Sequence, residues 1–107
     1  MSTVYTVLLG SGTTAAGVPL SIMVSAAGYT EILRDLLVVN NTESSGTMNI
    51  YRVTGSATRG LIFTEVPARS TYHLELRQVL PPNSELFVVT SWANGDVSLT
   101  GYRLAQP

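Results

Sequence analysis

The sequence has 107 residues, which is close to the commonest size of a single compact domain. Hydrophobic residues make up 45% of it and charged residues only 12%, a composition that excludes a disordered chain. The net charge of −1 argues against nucleic-acid binding, and the absence of cysteine excludes disulfides, thiolate zinc sites and cysteine nucleophiles.

Short apolar runs separated by Gly, Pro, Asn or Ser clusters are typical of a sandwich or barrel. In the N-terminal half the predicted strands are 4–9, 20–25, 29–40 and 47–54. The cluster Gly10-Ser11-Gly12 predicts the end of the first strand, and residues 13–19 are expected to form a loop or extended arm. A helical turn is an alternative within 31–39, although β-branched residues there favour a strand.

In the C-terminal half the predicted strands are 61–66, 71–77, 85–92 and 96–104. Tyr72, Leu74 and Leu76 alternate with polar residues, which is the period-two pattern of a strand with one buried face. Asn94-Gly95 predicts a type I′ hairpin that pairs 86–92 with 96–104 in antiparallel orientation.

Seven or eight strands without a convincing helix predict an all-β fold, a two-sheet antiparallel β-sandwich. Jelly-roll and immunoglobulin-like strand orders both stay open, because both are built from short strands in this number. We expect residues 20–107 to form the single sandwich domain. Residues 1–19 are expected to form an N-terminal strand or arm and a flexible loop that contact another subunit.

The glycine cluster 10–12 also matches part of the dinucleotide-binding pattern, which needs a helix after the glycines. Gly17 and Pro19 interrupt any such helix, so the cluster is interpreted as a turn and no cofactor is expected. We also expect a soluble chain with no leader and no membrane partner, because no apolar run approaches the ~18 residues of a membrane span.

His73 is the only histidine, so a zinc site would depend largely on carboxylates. A Ser-His-Asp set with Asp35 or Asp96 is conceivable, but no Gly-x-Ser-x-Gly motif supports it. The seven carboxylates are scattered, and none of them stands out as a glycosidase pair. We therefore expect His73 to lie on a surface and predict no catalytic and no metal-binding residues.

Trp92 and the five tyrosines could form a surface on which sugars stack. Tyr72 and Trp92, however, occupy inward-facing positions of their strands and are expected in the core. Asn40-Asn41-Thr42 is a glycosylation sequon only if the chain is secreted by a eukaryote.

From residue 27 onward, about three quarters of the chain resembles small virion proteins of tailed bacteriophages. The segments that carry this resemblance are a glycine before a long strand that ends in an asparagine turn (28–42), the segment Asn49-Ile50-Tyr51-Arg52-Val53, the segment 72–86 with its Pro81-Pro82-Asn83-Ser84 turn, and the closing segment 94–102. The first twenty residues depart from that pattern. The resemblance implies a β-sandwich that coats a capsid, commonly as a trimer, or an accessory module of a tail or head fibre.

The leading hypothesis is a non-enzymatic decoration or cement protein that binds the lattice of the phage major capsid protein and stabilises the head. Its expected location is the capsid surface of the virion, after synthesis in the cytoplasm of the host bacterium. We expect a homo-oligomer, a trimer by the resemblance. The alternatives are a fibre-associated module that binds host-surface glycans and a small hydrolase that uses His73 or a carboxylate pair.

The first strand is expected to contact another subunit, because an apolar run before a glycine-rich segment could add to the edge of a neighbouring sheet. The predicted contact residues are Val4, Tyr5, Thr6, Val7, Leu8 and Leu9. The neighbour is either a copy of this chain or a capsid protein, so deletion of residues 1–12 is expected to abolish assembly or attachment and to leave a folded core.

Overall fold

The computed structural model describes the backbone of residues 4–25 and 28–105, and the side chains of residues 10–25 and 28–104. These residues form eight strands and no helix. The strands are β1 (Val4–Thr13), β2 (Leu20–Val24), β3 (Tyr29–Asn40), β4 (Gly46–Thr54), β5 (Ala57–Val66), β6 (Ser70–Leu80), β7 (Ser84–Thr90) and β8 (Asp96–Ala105). The described part of the chain has no helix with the length and apolar character needed to cross a membrane.

The strands form two antiparallel sheets of four strands each. The first sheet has the order β1-β8-β3-β6 and the second sheet has the order β2-β7-β4-β5. Every connection except β4 to β5 passes from one sheet to the other, which is the strand order of an eight-stranded jelly roll. The predicted all-β sandwich is confirmed, and the strand order selects the jelly roll over the immunoglobulin-like alternative.

The core lies between the two sheets, where alternating side chains of each strand meet. In β7, Leu86 and Val88 are fully buried while Phe87 and Val89 between them are partly exposed. The same alternation is confirmed in β6. The largest fully buried apolar side chains are Leu33, Leu36, Met48, Ile50, Leu80, Leu86 and Leu99.

The predicted hairpin at Asn94-Gly95 is wrong, because β7 belongs to the second sheet and β8 to the first. Asn94 has a φ of 61°, but Gly95 is not in the positive-φ region, and a type I′ turn needs both. The Trp92 indole N–H donates to the Val39 carbonyl at 2.8 Å, and the Thr14 N–H donates to the Gly95 carbonyl at 2.9 Å. These bonds attach the connection to the first sheet, so it is a crossover.

The hairpin within a sheet joins β4 and β5 instead. Thr54 lies opposite Ala57, which leaves the two-residue loop Gly55-Ser56, and Gly55 has a φ of 58°. β5 therefore begins at Ala57, four residues before the start of the predicted strand 61–66.

The expected end of the first strand at Gly10-Ser11-Gly12 is also wrong, because β1 continues to Thr13. A Cβ at Gly10 would overlap the backbone carbonyl of Ile22 in β2. Gly10 therefore permits a close approach of two backbones, which is a use of glycine that differs from a turn.

Candidate functional site

The first strand lies at the edge of the first sheet and pairs with β8 of its own chain. The register runs from Val4 opposite Leu104 to Thr13 opposite Asp96. Within the described residues, no strand pairs with the other edge of β1. The side chains of residues 4–9 lie outside the described residues. The predicted contact of these residues with another subunit therefore stays a prediction, and the structure bears only on the backbone edge of β1 that would make it.

Each of the four edge strands contains one residue more than its neighbour at one point. Such bulges bend an edge and interrupt its backbone ladder, which limits edge-to-edge pairing between molecules. In β1 the register is regular from Val4 to Leu8, which leaves five residues at that edge for a partner strand. The bulges lie at Leu9 in β1, Ile22 in β2, Leu61 in β5 and Leu76-Arg77 in β6.

The outer face of the second sheet carries aromatic side chains, and we call it the aromatic face (Tyr51, Phe63 and Phe87). The rings of Tyr51 and Phe87 are stacked, with centroids 5.2 Å apart and 14° between their planes. Phe63 is 73% exposed. Glu65 and Glu85 flank these rings, and the strand registers place no described arginine on an outward position of this face. Apolar side chains that lie side by side on a surface in this way are typical of an interaction surface, whereas a single exposed ring is not.

The outer face of the first sheet holds the one histidine. The His73 Nε2–H donates to Asp35 Oδ1 at 2.7 Å, and the two side chains are 50% and 43% exposed. The surface position predicted for His73 is confirmed. The structure thus pairs His73 with Asp35, two members of the Ser-His-Asp set considered above. The alternative aspartate, Asp96, is the first residue of β8. Among the described residues, no hydroxyl group hydrogen-bonds to His73, and no group of three His, Asp or Glu side chains could hold a metal ion.

An open cleft lies beside this pair, lined by Ile32, Arg34 and Arg77. Arg34 donates to the Tyr102 hydroxyl at 2.9 Å, and its guanidinium lies 5.3 Å from the centroid of that ring. Glu75 accepts a long 3.4 Å contact from Arg77. Glu75 and Asp35 line a smaller cleft next to it, together with Arg34 and Arg77. Both clefts lie on an open sheet face, where water screens each charge.

Trp92 is only 5% exposed and cannot offer a ring face to a sugar. The expectation that it belongs to the core is confirmed. Glycines lie close to its ring on two sides, since a Cβ at Gly46 would come within 2.5 Å of the indole and a Cβ at Gly95 would overlap its nitrogen. Of the aromatic residues considered for sugar stacking, Tyr51 is the one that lies on the aromatic face.

The sequon asparagine Asn40 is fully buried and organises the turn after β3. Its amide donates to the carbonyls of Ser44 at 3.0 Å and Val66 at 3.1 Å. Its Oδ1 accepts from the backbone N–H and the hydroxyl of Thr42, at 3.0 and 2.7 Å. Because this amide is held inside the fold, it is not available as a glycan acceptor.

No protein-family model matches the sequence, and no curated protein is significantly similar to it. The resemblance to tailed-phage virion proteins therefore has no support from sequence comparison. Among solved structures, the crystal structure of the T13 viral particle of infectious bursal disease virus matches 96% of this chain, with a TM-score of 0.53 and 15% identity. The chain spans about a third of the length of that viral protein, because the match covers 34% of it.

The crystal structure of PirA is also similar, with a TM-score of 0.50 and 18% identity. That match covers 94% of this chain and 92% of PirA. At these identities both likenesses show a shared β-sandwich fold.

Proposed function

We propose that this chain is a non-enzymatic structural protein of a virus particle. In the finer form of the proposal it is a decoration or cement protein, which binds the major capsid protein lattice of a tailed phage and stabilises the head from the capsid surface. The host bacterial cytoplasm is then its place of synthesis. Support comes from the alignment of nearly the whole jelly roll with part of a chain of the infectious bursal disease virus particle. PirA shares the fold, so the fold alone does not select the function.

The observation that carries the proposal is the aromatic face. Phe63 is 73% exposed, and burial of one such side chain contributes about 1.5–3 kcal/mol. The neighbouring Tyr51 and Phe87 extend the apolar area across three strands. A lattice repeats its binding sites, so many contacts of this modest strength add up to stable attachment.

Rebinding to particles tests this face. Particles of the virus that encodes the chain are stripped of it, and purified chain is then added back and co-sedimented. We expect Phe63→Glu to weaken binding by at least about tenfold, since the lost burial corresponds to 1.4 kcal/mol or more. The matched control is Val79→Glu, which adds the same charge to an apolar residue that is 56% exposed on the first sheet. Equal binding of both variants and the wild type would overturn the assignment of this face.

We further propose that the chain forms a homo-oligomer, a trimer, through the free edge of β1 at Val4–Leu8. Light scattering should then give a mass about three times the 11.4 kDa of the chain. Every second amide of an edge strand points away from its neighbour and exchanges quickly with solvent, so pairing between chains would protect these amides. A monomeric mass at all concentrations, or fast exchange of these amides in the oligomer, would contradict this contact.

A second candidate function is the binding of host-surface glycans by a fibre-associated module. The exposed ring of Phe63 lies opposite Asn49, so an apolar surface and an amide occur side by side, as sugar recognition requires. A glycan array distinguishes the two functions. Binding of the wild type to a glycan on the array, with loss of that binding in Phe63→Ala, would favour the glycan-binding module. Absence of binding to every glycan would exclude it.

A further inference from the structure

Two arginines lie directly opposite each other on neighbouring strands of the second sheet. Arg52 on β4 is paired in register with Arg59 on β5. Directly opposite residues share one face of the sheet, with Cβ atoms about 4.5–5.5 Å apart. Arg59 is exposed and Arg52 is half-buried. Because like charges at such positions repel, this pair destabilises the hairpin unless an anion lies beside it.

Within the described residues, neither guanidinium has a hydrogen-bond or ion-pair partner, and the strand register explains why. The residue opposite Arg52 on its other side is Leu86 of β7. Glu85 is next in sequence, but successive residues of a strand point to opposite faces, so its carboxylate lies on the other side of the sheet. The other four arginines each contact a polar or acidic side chain, namely Tyr102, Glu43, Glu75 and Glu31.

Hydroxyl groups lie at the same end of the sandwich. Thr54 follows Arg52 by two residues on the same face, and its Oγ1 lies 2.8 Å from Ser84 Oγ. The hairpin loop Gly55-Ser56 beside it is exposed. The register places both arginines on the side of the sheet that carries the buried Met48 and Ile50, beside this loop, and Arg59 is exposed there. A segment of another protein is therefore expected to approach the arginines from the end of the sandwich.

We propose that Arg52 and Arg59 form a binding site for the carboxylates of an acidic segment on a protein partner. Each guanidinium presents a planar fork of N–H donors that fits a carboxylate with two parallel hydrogen bonds. A carboxylate between the two arginines replaces their repulsion by two attractions. The overall charge favours protein carboxylates over nucleic acid, because the chain carries a net charge of −1 and phosphate backbones require a larger basic surface.

The site goes beyond the proposed role in a virus particle. It is tested on the isolated chain, so its failure would leave the particle role in place. The probe is a peptide of six aspartates, titrated against the purified chain at constant ionic strength, with thermal unfolding as the readout. We expect Tm to rise by about 5 °C when the peptide is present at ten times its Kd. Arg52→Gln and Arg59→Gln should each abolish the rise.

The matched control is Arg69→Gln. It removes one positive charge from an exposed ion pair with Glu43, where both side chains are at least 70% exposed, and should keep the full rise. Inorganic phosphate and sodium chloride at the same ionic strength form two further arms. A rise with phosphate alone would overturn the assignment to protein carboxylates. An equal rise in Tm with sodium chloride would show that charge screening, and not a binding site, causes the effect. No rise in Tm with the peptide, phosphate or chloride would overturn the site itself.

Discussion

The replacement of Gly95 with alanine tests the connection between β7 and β8 at its most crowded point. The added Cβ would overlap the Val39 carbonyl oxygen and Trp92 Nε1, which are the two atoms of a 2.8 Å hydrogen bond. Trp92 is 5% exposed. Relief of the overlap therefore requires the indole to move away from β3 and out of its place in the core.

The magnitude follows from what the indole loses. A buried N–H without a partner costs about 1–3 kcal/mol, and truncation of a buried aromatic side chain costs about 3–5 kcal/mol. We expect a loss of about 3–4 kcal/mol in the free energy of unfolding, which lowers Tm by roughly 12–16 °C for a domain of this size. In a type I′ hairpin the same substitution would cost only about 1–2 kcal/mol, through the left-handed backbone alone.

Urea unfolding, followed by the fluorescence of the single tryptophan, measures this loss directly. The matched control is Gly55→Ala, because Gly55 has a φ of 58° and no atom within 4 Å of an added Cβ. That control isolates the backbone cost. A loss in Gly95→Ala no larger than in Gly55→Ala would refute the crossover and the packing of Trp92.

Two further substitutions probe the core with the same urea assay. Glu31 is fully buried and accepts from the Arg103 Nε–H at 3.0 Å, whereas the Arg103 side chain is 33% exposed and stays partly hydrated when the carboxylate is removed. Glu31→Gln should therefore cost about 1.5–3 kcal/mol, the contribution of a hydrogen bond to a charged group. Glu43→Gln, which removes an exposed ion pair, should cost less than about 1 kcal/mol. Equal losses would contradict the role of burial. Gly10→Ala should cost about 3 kcal/mol, because its Cβ would overlap the Ile22 carbonyl, and a loss below about 1 kcal/mol would contradict the close approach of β1 and β2.

Most strand positions could be predicted from the sequence because burial on one face imposes a period of two. In β6, Tyr72 and Leu74 are partly buried and Leu76 is buried, while the residues between them are exposed, as the alternation indicated. Local chemistry, however, does not determine which sheet a strand joins. Asn94 does adopt positive φ, but the burial of Trp92 against β3 carries the following strand to the opposite sheet.

The surfaces were harder to predict because they depend on register. His73 and Asp35 meet only because Leu76 and Arg77 of β6 lie opposite the single residue Arg34 of β3. No local sequence pattern predicts that bulge. The arginine pair had a usable signal. A two-residue loop at Gly55-Ser56 places Arg52 opposite Arg59 by counting alone, but the predicted strands 47–54 and 61–66 left residues 55–60 between them.

The most direct test of the particle role is the number of copies of this chain in purified particles of the virus that encodes it. Quantitative mass spectrometry, with the major capsid protein as the internal reference, gives this number. A lattice-bound structural protein should be present in a fixed ratio to the capsid protein and should remain after washing at high salt. Absence of the chain from washed particles would contradict the account.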